Sequence, residues 1–183
     1  GRVTLWRAML ACDGRQGCEE ITLDDVELVC DANEPKPDPT FEVSGGASFS
    51  VLDSVITGCS SSSSGGFVRA FDNSLVSIEA STIHASQSSE GGGAIALYGS
   101  TLNIFSSLFS HCRSLGSGGA IWADIFSALP SPAILSSIFI LDSTFLHCES
   151  SLDGGAMFAK MGTLILDFCT FNSNVAQGKV NIP

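Results

Sequence analysis

Four glycine-led segments recur along the chain: GGFVRA from Gly65, GGAIAL from Gly92, GGAIWA from Gly118 and GGAMFA from Gly154. Their second glycines, Gly66, Gly93, Gly119 and Gly155, are spaced by 27, 26 and 36 residues. Self-similarity with a period of this size marks a solenoid, in which each repeat is one turn that cannot bury its apolar face alone. A second landmark keeps the same step. In VLDSVITGC, IEASTIHAS, IFSSLFSHC, ILDSTFLHC and LDFCTFNSN, an aliphatic or aromatic anchor falls at Ile56, Ile83, Phe109, Phe145 and Phe171, spaced 27, 26, 36 and 26. The spacing of 36 is a 26-residue period with ten extra residues. The flanking columns place these in an insertion loop, 124–137, that carries LPSPA.

Aligned on this period, apolar residues fall into columns: Phe41, Val68, Ile95, Ile121, Met157; Phe49, Val76, Leu102, Ile138, Leu164; Val51, Ile78, Ile104, Ile140, Leu166; and the anchors. Within each repeat these positions alternate with polar ones, the period-2 pattern of short strands with one buried face. Three such strands per turn of about 26 residues give an all-β fold. We expect a parallel β-helix of five to six coils, right-handed because parallel crossovers almost always are. Ser54, Ser81, Ser107 and Ser143, with Cys169 in the last repeat, form a column of small residues placed to bond bend backbone in neighbouring coils. Residues 1–20, with mixed helical and strand spacing, are expected as an N-terminal cap, and 21–183 as the solenoid, with Ile21–Cys30 a partial coil. Gln177–Ile182 resembles the opening of a further repeat, so the last coil is expected to be incomplete. The start at Gly1 without Met or a signal-type segment suggests a piece of a longer protein.

Charge narrows the classes of function. With 8 Lys+Arg against 19 Asp+Glu and a formal charge of -11, the chain has no basic stripe with which to displace phosphate counterions. Nucleic acid is therefore not expected as a partner. No apolar run approaches the ~20 residues of a transmembrane helix.

The seven cysteines divide into two groups. Cys12 and Cys18 flank a turn-rich hydrophilic loop that a disulfide would staple. Cys59, Cys112 and Cys148 share one inward column three residues after the anchors Ile56, Phe109 and Phe145, and are read as a stacked core ladder of free thiols; a bridge between adjacent coils is the alternative. His111 and His147 precede two of these thiols. Alternation sends the imidazoles and the thiols to opposite faces, so a four-ligand metal cluster is not expected. Asp53 and Asp142 share a column but lie three repeats apart, and Asp24-Asp25 are adjacent in an expected strand. Neither pair suits paired acid–base chemistry, so no catalytic residue, metal or cofactor is assigned. Two proline-rich segments, one with Pro35, Pro37 and Pro39 and the other with Pro130, Ser131 and Pro132, read as stiff polyproline-type surface loops and as candidate hydroxyproline or O-glycan sites.

GGAI at Gly92–Ile95 and Gly118–Ile121, GGAM at Gly154–Met157 and FTFN-like anchor strands resemble the GGA[ILV] and FxxN repeats of chlamydial polymorphic outer-membrane proteins. These belong to the wider pectin-lyase-like β-helix group. Phe171–Asn174 matches FxxN. Ile56–Cys59, Phe109–Cys112 and Phe145–Cys148 have Cys in the Asn place, and Ile83–Ser86 has Ser. The resemblance implies surface display or adhesion and brings no catalytic residues. We therefore expect a non-enzymatic extracellular or cell-surface structural or adhesion module. It would associate end to end, with further coils or with other subunits of a filament, and it is a candidate for glycan attachment. The alternative is a carbohydrate-active enzyme fragment whose catalytic repeats lie outside this segment.

Overall fold

A computed structural model describes residues 2–5, 10–30, 38–124, 134–160 and 162–178. Apart from a 3-10 turn at Gly14–Gln16, the regular structure among these residues is parallel β, stacked as a solenoid of about 6 turns with ~27 residues in each. One coil shows the path. Ile95–Tyr98 is followed by Thr101–Phe105, Leu108–Ser110 and Arg113–Ser114, and each strand pairs with its equivalent one turn earlier and one turn later. From Phe41 onward each turn thus contributes to four ladders, where periodicity predicted three strands. The fourth ladder is built from two-residue strands, too short to display alternation in a sequence.

Inward columns are as the repeat predicted. Phe49, Val76, Leu102 and Ile138 pair in register, as do Val51, Ile78, Ile104 and Ile140, and all are buried. The anchors Ile56, Ile83, Phe109 and Phe145 form a buried line along the axis. At its end the rings of Phe109, Phe145 and Phe171 stack, with centroids 5.0 and 4.9 Å apart. Near the other end Phe41, Phe49 and Phe67 form a tilted cluster with centroid distances of 4.7 to 5.8 Å.

The recurring glycines have two separate causes. The first glycine of the pair, as at Gly118, turns the chain at φ +71, a conformation costly to residues with a Cβ. The second, as at Gly119, lies so close to the next coil that a Cβ would stand 1.9 Å from the Gly155 carbonyl oxygen. The serine column closes another corner. The backbone N–H of Ser54, Ser81 and Ser107 donates to the hydroxyl of the serine one coil later, at 3.0 to 3.1 Å, and each hydroxyl donates in turn to the carbonyl two residues before it. The first set satisfies the N–H groups that follow the left-handed residues Asp53, Ala80 and Ser106; the carbonyls of the second set also accept from the backbone N–H of Asp25, Asp53 and Ala80.

Within residues 1–20, expected as a cap, the described strands join the ladders of the solenoid. Arg2–Leu5 pairs with Glu27–Cys30 and Leu10–Asp13 pairs with Phe41–Ser44, both parallel. The register places Val3 beside Leu28 and Leu10 beside Phe41, so these two strands lie in the same ladders as the coils that follow. The Asp13–Glu19 loop is longer than its counterparts and is tied by a Cys12–Cys18 disulfide, with a Cα–Cα distance of 5.2 Å. The ten-residue insertion lies between Asp124, which pairs with Tyr98, and Ser137, which pairs with Thr101. Its residues 125–133, including Pro130, Ser131 and Pro132, lie outside the described residues.

Candidate functional site: the open end of the last coil

The last described coil exposes what the coil before it buries. Leu164 is 45% exposed where Ile138 one coil before is 1%; Leu166 is 42% against 2% for Ile140, and Phe171 is 43% against 0% for Phe145. With Met157 and Asn174 they line a shallow apolar basin of about 380 Å³. Met157–Ala159, Gly162–Asp167, Thr170–Asn172 and Val175–Ala176 are the terminal strands of their ladders, each paired on one side. This face therefore offers both apolar side chains and a row of backbone donors and acceptors, the combination that recruits another strand. Residues 179–183, within the segment expected to open a further repeat, lie outside the described residues.

Asn174 shows why the anchor motif ends as it does. Its Nδ2 donates to the Phe145 carbonyl at 2.9 Å, and its Oδ1 accepts from the Cys148 backbone N–H at 2.9 Å, joining two coils. Cys112 and Cys148 occupy the same corner and reach the preceding coil with sulfur alone, at 3.9 Å from the Ile83 carbonyl and 3.8 Å from that of Phe109. Both are buried free thiols, and a hydrogen bond to Cys148 together with burial pushes the Cys112 thiol well up. The expected third free thiol of this ladder, Cys59, is instead in a disulfide with Cys30, with Cα atoms 4.8 Å apart. Val29 pairs with Thr57, so Cys30 follows one residue short of the position level with Cys59 and is offset toward it rather than stacked beneath it. The remaining free cysteine is Cys169, half-buried in the last coil.

His111 and His147 stand on the outer surface, and the structure adds a third imidazole. His84 lies 5.2 Å from His111, which lies 5.2 Å from His147, and His84 Nδ1 hydrogen-bonds Ser110 Oγ at 2.9 Å. No group of three or more His, Cys, Asp or Glu among the described residues is arranged to hold a metal ion. Asp53 and Asp142 sit at left-handed corners, as does Asp25, so Asp24 and Asp25 are divided by a strand end rather than lying in one strand. Pro39 is buried, which removes it as an accessible modification site; Pro35 and Pro37 lie outside the described residues.

Two polar features were not legible from the repeat. Tyr98 donates to Ser64 Oγ at 3.0 Å, and Ser64 donates to the Glu90 carboxylate at 2.9 Å, a relay across the glycine-bearing corner. Burial, reinforced by Glu90, raises the Tyr98 phenol against the opposing Ser64 hydrogen bond. On the short-strand face, Ser60, Gln87, Ser89, Arg113 and Leu115 line a shallow groove of about 280 Å³. Ser60 is 7% exposed and its hydroxyl has no hydrogen-bond partner.

Compared with protein families, curated proteins and solved structures, the chain shows no match.

Proposed function

We propose that this chain is a non-enzymatic structural or adhesion module of the extracellular or cell-surface kind, a stiff rod whose work is to extend and to display its faces. The observation that carries this reading is the set of parallel ladders running through the described coils, tied at one corner by the seam of Ser54, Ser81, Ser107 and Ser143. Stiffness follows from the ladders: side-chain and backbone bonds tie each coil to the next at several corners, so bending would break many of them together. Two disulfides, Cys12–Cys18 and Cys30–Cys59, favour an oxidising compartment. The resemblance of the GGA[ILV] and anchor repeats to chlamydial surface proteins points the same way.

A display role has its own support in the groove at Ser60. The exposed Gln87 and Arg113 side chains along this groove carry hydrogen-bonding groups suited to a hydroxyl-rich or carboxylated ligand, such as a surface glycan.

Negative-stain electron microscopy of the native material tests the rod reading, combined with labelling of intact cells by a membrane-impermeant amine reagent. Rods or filaments that are labelled from outside are expected. Compact particles confined to the cell interior would overturn it.

A further inference from the structure

We propose that Cys112 and Cys148 are oxidised to a third disulfide as the chain folds, a covalent tie between the two coils that the ten-residue insertion separates in sequence. The seven cysteines, less the four in the bridges Cys12–Cys18 and Cys30–Cys59, leave three: Cys112, Cys148 and Cys169. Of these, Cys112 and Cys148 share a column on adjacent coils. The pairs on either side of them, Ser110 with Leu146 and Arg113 with Glu149, are in register, so the two cysteines lie level with each other. Parallel neighbours stand about 4.8 Å apart, inside the disulfide range of about 4.4–6.8 Å between Cα atoms. Cys30 and Cys59, at the same corner earlier in the solenoid, are bridged at a Cα separation of 4.8 Å.

The other occupants of this corner show what the thiols lack. Asn174 joins its coil to the one before with two hydrogen bonds of 2.9 Å. Cys112 and Cys148 offer the preceding coil only sulfur contacts of 3.9 and 3.8 Å, and a thiol is a weak donor. Both residues lie between strands, each after a left-handed histidine, His111 and His147. The Cys148 sulfur already leans toward the coil of Cys112, where it meets the Phe109 carbonyl, and the two thiols hydrogen-bond each other. Rotation about the Cα–Cβ bonds then closes the bridge and leaves the backbone register as it is. Cys169 stands at a different corner, in the column of Ser143, with its sulfur on the Ile140 and Asp167 carbonyls. It remains the odd thiol.

Both thiols of the pair are fully buried once the corner has closed, which places oxidation during folding and makes the oxidant a small disulfide. One cysteine thiolate attacks that disulfide, forming a mixed disulfide and releasing one small thiol. The second cysteine thiolate attacks the protein sulfur of the mixed disulfide and releases the other small thiol. Two protons and two electrons pass from the cysteines to the oxidant, which leaves as two thiols. This goes beyond the rod reading, and an oxidant supplied in vitro makes the test independent of where the protein resides.

The chain is refolded from the fully reduced state in oxidised and reduced glutathione, unfolded without reductant and alkylated. Mass spectrometry is expected to find one alkyl group, on Cys169, and non-reducing peptide mapping a linked Cys112–Cys148 pair. Chain still in the dithiol form of this structure takes three alkyl groups under the same treatment. Cys169→Ser is expected to take none, and Cys148→Ser two, on Cys112 and Cys169. The bridged wild type should also unfold at a higher urea concentration than Cys112→Ser/Cys148→Ser. Alkylation of both Cys112 and Cys148 in chains whose Cys12–Cys18 and Cys30–Cys59 bridges have formed overturns the proposal, as does pairing of either with Cys169. The rod reading is decided by microscopy of the native material, so the two can fail separately.

Discussion

The backbone N–H of Ser81 donates to the hydroxyl of Ser107, 26 residues later and one coil away, at 3.1 Å, while that hydroxyl donates to the Phe105 carbonyl at 2.7 Å. One side chain thus serves a donor on the preceding coil that no backbone carbonyl reaches and shares an acceptor on its own coil with the Ala80 backbone N–H, which lies 3.0 Å from the Phe105 oxygen. The same bonding pattern at Ser54, Ser81 and Ser143 makes the column a continuous seam.

Ser107→Ala leaves the Ser81 N–H without its partner in a buried corner, while the Phe105 carbonyl keeps its bond from the Ala80 N–H. A loss of about 1–3 kcal/mol is expected, because an unmade buried bond costs the desolvation of its groups. Urea denaturation measures it, with a lowered midpoint and an unchanged slope expected.

Gly119→Ala is expected to be worse than an ordinary glycine substitution. The obstacle is the Gly155 backbone oxygen at 1.9 Å, which can yield only if two coils separate. A cost of about 2–4 kcal/mol is expected. Thermal unfolding followed by far-UV circular dichroism reads it, and a variant as stable as the wild type would contradict the close approach.

Reduction should act mainly through Cys30–Cys59. That bridge closes 29 residues of sequence separation against six for Cys12–Cys18, and joins two coils rather than stapling one loop. Cys30→Ser/Cys59→Ser is expected to lose about 3–4 kcal/mol on the chain-entropy estimate, and Cys12→Ser/Cys18→Ser less. In native protein an alkylating reagent should label Cys169 first, whereas buried Cys112 and Cys148 should react only on unfolding.

Tyr98 is the sole tyrosine, so ultraviolet titration of phenolate reports it alone. Its ionisation is expected above the ordinary value of 10.0, because burial disfavours the phenolate. The sign for stability follows. Above pH 10 the unfolded chain has released the proton that the folded one keeps, so this contribution, complete below that pH, is lost as pH rises through the folded value. Tyr98→Phe should abolish the phenolate signal and remove this component of the alkaline destabilisation.

The sequence by itself determined the period, the apolar columns and the site of the ten-residue insertion. Each coil places its residues in the surroundings of the coil before, so position in the repeat is position in space. For the same reason the double glycines and the serine seam were visible as columns before any contact was known. Only the tertiary structure decided the features that break the repeat or fall below its resolution. Two-residue strands such as Gln87–Ser88 show no alternation, so the fourth ladder was hidden. Cys30 sits one residue out of step with Cys59, and a bond across that offset is invisible to column alignment. His84 joins His111 and His147 although it precedes their column by one position, because the left-handed corner brings successive residues toward one face. The open end is a matter of place as well: Leu164 continues the column of Ile138, and only its position in the last coil leaves it uncovered.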